Sequence, residues 1–195
     1  MKANLTSKQE TILEKSLILF AKNGYNETSM QDIAEEVGIK PASLYNHITS
    51  KKDILLWICQ KVSSRLRNQL LELKNMEGDP INRFERFIEF HIVNSMEHRY
   101  EFRIYQKYWS RLNRVERAET QQIYNDYLFF LQDLVNEFVP KTILPEFFPP
   151  HYFAQLLLEI LEQIPHWMTN TTKTPTEIAS EISGSFLYGF ATTRK

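Results

Sequence analysis

The chain has 195 residues, a net charge of −1, 43% hydrophobic and 13% aromatic residues, and one cysteine. Such apolar content supplies a buried core and excludes a disordered chain, while Cys59 alone cannot close an internal disulfide. Neither a signal-peptide pattern nor a long apolar span is present, so the expectation is a cytoplasmic protein that does not enter a membrane. Five glycines and no sustained two-residue alternation point to an all-α protein.

In chain order, Ser7 with Glu10 three residues later predicts a capped helix start. Ile12, Leu13, Leu17, Phe20 and Ala21 follow at helical spacing, and Gly24 closes the helix. Thr28 with Gln31 predicts a second start, with Ile33, Ala34 and Val37 on one face and Asp32, Glu35 and Glu36 on the other. Gly38 ends this helix, because glycine takes the left-handed C′ conformation without penalty. Pro41 suits the first turn of a third, short helix that presents Lys40, Ser43, Tyr45, Asn46 and His47, with Leu44 turned inward. A helix, a glycine turn and a short polar helix make a helix-turn-helix, whose second helix lies in the DNA major groove. From Ile39 to Lys52 there are three lysines and no acid, whereas Ala118 to Lys195 holds four basic and nine acidic residues. A basic patch on an acidic body orients a protein on phosphates.

The stretch from about Ser7 to Leu56 resembles the N-terminal domain of TetR-family transcriptional repressors. The resemblance rests on Gly24-Tyr25, Thr28-Ser29-Met30, Asp32-Ile33-Ala34, Gly38-Ile39, Leu44-Tyr45 and Lys51. Lys40 stands where the family has a Ser or Thr cap, and Ile48 replaces the commoner Phe. The resemblance implies an N-terminal three-helix helix-turn-helix domain (residues 1–50) and a larger helical ligand-binding and dimerisation domain (51–195). It implies DNA contact by Thr28, Ser29, Lys40, Pro41, Ala42, Ser43, Tyr45, Asn46, His47 and Lys51. Thr28 and Ser29 would meet a phosphate at a helix N-terminus, and Lys51 would bind another.

Ser50 and Asp53 cap the next expected helix, which runs to about Met76, and Gly78-Asp79-Pro80 breaks the chain. A helix is expected from about Pro80 to Glu97, with Phe84, Phe87, Ile88 and His91 inward. Arg99 to Trp109 is strongly aromatic, and a further long helix is expected over Arg114 to Val139. Four prolines between Val139 and Pro150 demand a loop. Two last helices follow, about His151–Thr169 and Pro175–Thr192. Their apolar and small residues, Leu156, Leu157, Ile160, Leu161, Ile164, Ile178, Ile182, Ser185, Phe186 and Gly189, form the dimer interface that the resemblance implies. A palindromic double-stranded operator needs two symmetry-related recognition helices.

Relatives of this kind also hold a small-molecule effector in the C-terminal domain. The candidate lining is Tyr100, Phe102, Tyr105, Trp109, Tyr127, Phe130, Tyr152, Glu159, His166 and Trp167, which with Glu162 suits a flat or cationic hydrophobic compound. Aromatics at helical spacing are more often core than pocket, so at any single residue the core reading is preferred and the lining is read from the set as a whole. Catalytic signals are missing: no histidine of the helical body follows a glutamate by three residues, and no Cys-x-x-Cys, Gly-x-Ser-x-Gly or phosphate-cradling glycine loop occurs. No enzyme, cofactor or metal is therefore expected. Two readings remain: a regulator, in the resemblance's terms a repressor released by its ligand, and a DNA-bound structural or interaction protein without an inducer.

Overall fold

A computed structural model describes residues 5–138, 149–167 and 171–191, with only the backbone given for 138, 165–167 and 187–191. Among the described residues every regular element is helical. The helices are α1 (Ser7–Asn23), α2 (Met30–Val37), α3 (Pro41–Leu44), α4 (Lys51–Lys74), α5 (Pro80–Glu97), α6 (Arg99–Tyr108), α7 (Arg114–Phe138), α8 (Pro150–Trp167) and α9 (Pro175–Ala191). A single 3-10 turn, Trp109–Arg111, follows α6. Most of the loop expected from Val139 to Pro150 lies outside the described residues.

Both expected capping boxes exist, each one residue from its expected place. Thr6, extended at φ −70°, caps α1 and exchanges hydrogen bonds with Gln9, so Ser7 enters the helix instead of capping it. Ser29 caps α2 and exchanges hydrogen bonds with Asp32, because Thr28 is drawn into the core. Gly24 (φ 92°) and Gly38 (φ 72°) end α1 and α2 as expected.

The helices form two compact units. The first takes the described residues up to Arg65 together with His98–Ile123. Its core combines Ile12, Leu13 and Phe20 of α1, Ile33 of α2, Leu44 of α3 and Ile54, Leu55 and Ile58 of α4, all at most 1% exposed. Cys59 is buried there as well, and burial pushes its thiol up to about 12, so it stays protonated and inert.

The second unit takes Leu66–Glu97 and the described residues from Tyr124 onward. Within it α5 packs against α8 and α9. Phe87 lies 4.8 Å from the Tyr127 ring and 6.1 Å from Phe130, and Phe153 meets Phe186 edge-on at 5.2 Å. Phe84, Phe87, Ile88 and His91 point inward, as the helical spacing predicts.

Burial lowers His91 from its ordinary 6.5 to about 4. Folded protein therefore keeps this ring neutral where an unfolded chain would take up a proton. Stability is lost as pH falls from about 6.5 towards 4, because the unfolded state binds the extra proton in that window. At roughly 1.4 kcal/mol per unit the loss approaches about 3 kcal/mol. His91→Gln is expected to flatten the urea midpoint measured between pH 7 and pH 4 relative to the parent chain; equal slopes would show that this ring is not the source.

Candidate nucleic-acid interface

The third helix has only four residues, too few to persist alone. Its position comes from its neighbours. Leu44 is fully buried, Ile48 is nearly so, and the Gln9 side-chain amide donates to the His47 carbonyl oxygen at 3.2 Å. Lys15 of α1 bridges Glu36 of α2 at 3.2 Å, fixing the companion helix. Lys40 begins α3 in extended backbone without a side-chain cap, and Pro41 occupies its first turn.

What α3 leaves outside follows from what it buries. Lys40, Pro41, Ala42, Tyr45 and Asn46 are exposed, and Ser43 and His47 half-buried. Tyr45 keeps 53% of its surface open, although it is a large apolar ring. An exposed aromatic among Asn, His, Ser and Lys has no use in the core, and suits stacking or hydrogen bonding at a polar groove.

At the start of α2 the expected pair of phosphate ligands separates. Ser29 is exposed. Thr28 is fully buried, and its hydroxyl donates to the Gly24 carbonyl oxygen at 2.8 Å. The expectation that Thr28 faces the DNA backbone is corrected: the hydroxyl closes the turn before α2. Asp32 accepts from the Ser29 amide at 2.7 Å, and hydrogen bonds from that amide and the Ser29 hydroxyl hold its carboxyl below the usual range. The amides of Met30 and Gln31 lie in the first turn, where no intrahelical acceptor exists.

Lys51 is half-buried at the head of α4. Its ammonium donates to the carbonyl oxygens of Tyr25 (2.7 Å) and Asn26 (3.1 Å) and lies 4.9 Å from the Tyr25 ring centre. Two of its three hydrogens are thus used within the chain, and one remains. Burial lowers this amine, Glu27 and Asp32 draw it back up, and the nearby Arg111 charge opposes them. Nothing in the sequence pattern signalled Arg111, whose guanidinium donates to Asn26 Oδ1 at 2.6 Å.

The other expected sites are distributed differently. Tyr100, Phe102, Tyr105 and Trp109 belong to the first unit, and Tyr127, Phe130, Tyr152 and Glu159 to the second. Phe102, Tyr105, Tyr127 and Phe130 are buried, Trp109 is half-buried, and Tyr100, Tyr152 and Glu159 are exposed. The side chains of His166 and Trp167 lie outside the described residues. Burial raises the Tyr124 hydroxyl, and the charges of Glu162 and Glu159 raise it further. Of the expected dimer residues, Leu157, Leu161, Ile164 and Ile178 are buried within the chain. Leu156 and Ser185 are exposed, and Ile160, Ile182 and Phe186 half-buried, while Gly189 falls outside the side-chain description. An open groove of about 280 Å³ between α5 and α9 is lined by Arg86, Glu89 and Thr176, among others, and by none of the expected ligand residues.

A buried scaffold that thrusts a short polar helix outward defines a helix-turn-helix DNA-binding protein. Residues 12–58 match the model of bacterial regulatory proteins of the tetR family, and residues 77–190 match that of the tetracyclin repressor-like C-terminal domain. The second match alone covers more than half of the chain, which belongs to the TetR family of transcriptional regulators. The biofilm operon icaADBC HTH-type negative transcriptional regulator IcaR of Staphylococcus aureus is 33% identical over 92 residues, 47% of this chain and 49% of that one. The uncharacterized HTH-type transcriptional regulator YuxN of Bacillus subtilis is 30% identical over 95 residues, 49% of this chain and 33% of that one. These matches span half or less of the relatives' lengths. AibR, solved in complex with isovaleryl coenzyme A and operator DNA, shares the fold with a TM-score of 0.77 and 24% identity, covering 91% of this chain and 97% of that one. PfmR of Thermus thermophilus shares it with a TM-score of 0.79 and 24% identity, covering 94% and 99%.

The two hydroxyls at the start of α2 make a direct test. Ser29→Ala should weaken DNA binding and cost about 1 kcal/mol of stability through removal of the cap. Thr28→Val should cost a similar amount through removal of the turn bond while leaving affinity for DNA unchanged. Fluorescence anisotropy and urea melts read both; an affinity loss confined to Thr28→Val would reverse the assignment.

Proposed function

We propose that the protein is a homodimeric, sequence-specific DNA-binding regulator, a repressor released by a small hydrophobic ligand held in its C-terminal part. One observation carries the DNA half of this reading: α3 buries Leu44 and leaves Tyr45, Asn46 and Lys40 outside on a scaffold that buries the apolar residues behind them. By resemblance, Tyr45, Asn46 and His47 contact bases or phosphates, while Lys51 and Ser29 contact phosphates. The partner is a palindromic duplex, read by two copies of α3 related by twofold symmetry. A DNA target implies a cytoplasmic protein; among the described residues no helix is long and apolar enough to cross a membrane.

Dimerisation through α8 and α9 is supported by what the chain leaves unburied there. Leu156 stays 44% exposed on α8, and Ile160, Ile182 and Phe186 remain half-open. Such apolar surface on adjacent helices fits a second copy of itself. The ligand acts by binding one spacing of the two recognition helices more tightly than another. By resemblance the ligand would meet Tyr127 and Phe130, which pack on Phe87, and these aromatics with Glu159 and Glu162 suit a flat or cationic hydrophobic compound.

Genome-wide footprinting of bound DNA, followed by anisotropy on the recovered fragments, tests the reading. A palindromic consensus is expected, with affinity falling steeply as salt rises from about 50 to 200 mM. Tyr45→Ala should weaken binding while the dimer mass is retained. Scattered sites without a consensus, or a flat salt response, would remove the regulator reading. For the effector, titration calorimetry against lipophilic cations is expected to give heat, and heat only from anionic acyl compounds would overturn the cationic assignment.

A further inference from the structure

Three cations of the first unit stand interleaved with two tyrosines. The Lys51 ammonium lies 4.9 Å from the Tyr25 ring centre, and the Arg111 guanidinium lies 5.9 Å from the same ring. Arg111 also lies 5.2 Å from the Tyr108 ring, over which Lys107 sits at 5.4 Å. The two rings are themselves in contact, 5.1 Å apart. Lys51, Tyr25, Arg111, Tyr108 and Lys107 thus form one continuous ladder, built from the head of α4, the turn after α1 and the end of α6 with its 3-10 turn.

Three other cations of this unit face a carboxylate instead. Lys15 pairs with Glu36, Lys52 with Glu116 at 2.7 Å, and Arg65 with Glu101. Among the described residues, none of the three ladder cations forms an ion pair. Arg111 and Lys107 are exposed. Stacking on tyrosine faces fixes the side chains before any ligand arrives, which lowers the entropy cost of binding. Asn26 Oδ1 uses one of the five guanidinium N–H groups of Arg111, and Lys51 keeps one hydrogen of three. Arg111 also lowers the Lys51 amine, so the neighbouring positive charges repel in the absence of a counter-ion. The ladder begins at the turn that leads into Ser29 and the open first-turn amides of α2.

We propose that this ladder is a second DNA-backbone contact, in which Arg111 and Lys107 extend the phosphate track from Lys51 beyond the helix-turn-helix onto flanking duplex. Phosphate is the partner that the chemistry selects: a chain of anions matches a line of spaced cations that face no carboxylate among the described residues, and no base edge is needed. The inference rests on the DNA-binding reading above. It predicts a contact that adds affinity uniformly across sequences and carries no sequence preference.

The test uses the full chain and a mixed-sequence duplex, with anisotropy followed from about 50 to 200 mM salt. Arg111→Gln and Lys107→Gln should each weaken binding, by about tenfold at low salt for Arg111. Each should also reduce the salt slope by about one unit for every phosphate that is no longer neutralised. Arg111→Lys should keep most of the slope, because charge rather than the Asn26 hydrogen bond is the cause. An Arg111→Gln slope equal to that of the parent chain would overturn the proposal, as would equal losses in Arg111→Gln and Arg111→Lys, which mark a merely structural role. Should Arg111→Gln fail to fold, Lys107→Gln decides alone: an unchanged slope sinks the ladder, and a reduced one sustains it. If the parent chain itself binds duplex without salt dependence, the DNA-binding reading fails and takes the ladder with it; an active parent with unaltered variants removes only the ladder.

Discussion

A turn that exposes carbonyl oxygens needs donors, and in this chain Lys51 brings them to the turn between α1 and α2. Its ammonium bonds to Tyr25 and Asn26, residues 26 and 25 positions earlier in the chain. That link settles where α2 begins. With the turn pinned, the Thr28 hydroxyl can reach the Gly24 carbonyl, and Ser29 is left at the surface as the cap. The helix that positions α3 therefore takes its register from a bond made by the first residue of α4. A cation suits this task better than an apolar side chain, since one ammonium can donate to both carbonyl oxygens at once.

The recognition element is shaped by the same constraint. Four residues of helix carry little intrinsic stability, so precision comes from tethering both ends. Gly38 turns the chain in a left-handed conformation at one end, and the Gln9 bond to His47 fixes the other. Leu44 and Ile48 hold the middle to the core. Side chains between these anchors face solvent with their backbone immobilised, as a surface that must match a rigid groove requires.

Much of this was legible in the sequence because it is local. Glycine stops at Gly24 and Gly38, the apolar face of α1 and the breaker before Pro80 each act within a few residues. The caps shifted by one residue because Thr6-x-x-Gln9 and Ser29-x-x-Asp32 satisfy the same box as their neighbours, and only tertiary packing selects between them. The placement of Thr28 depends on a bond that no periodicity encodes. The aromatic run after Arg99 read as core at each single residue and as ligand lining only collectively, and part of it, Tyr108, proves to pack on Tyr25. Arg111 gave no signal at all, since its partner Asn26 lies 85 residues away. Family resemblance supplied the expected DNA contacts of Tyr45 and Lys51, which spacing alone does not assign.

Net charge was a poor guide, and the pairing pattern explains why. A total of −1 sums over cations that already face a carboxylate and over those that do not. Lys15, Lys52 and Arg65 are neutralised within a few ångströms and contribute little beyond that. Fields from exposed charges decay over about 10 Å in ordinary salt, so distant acids do not cancel a local cluster. Lys51, Arg111 and Lys107 are joined through tyrosines rather than carboxylates, and tyrosine rings attract a cation without neutralising it. The surface potential that a phosphate would meet is therefore set by which cations were left unpaired when the fold closed, a property of the packing and not of the composition.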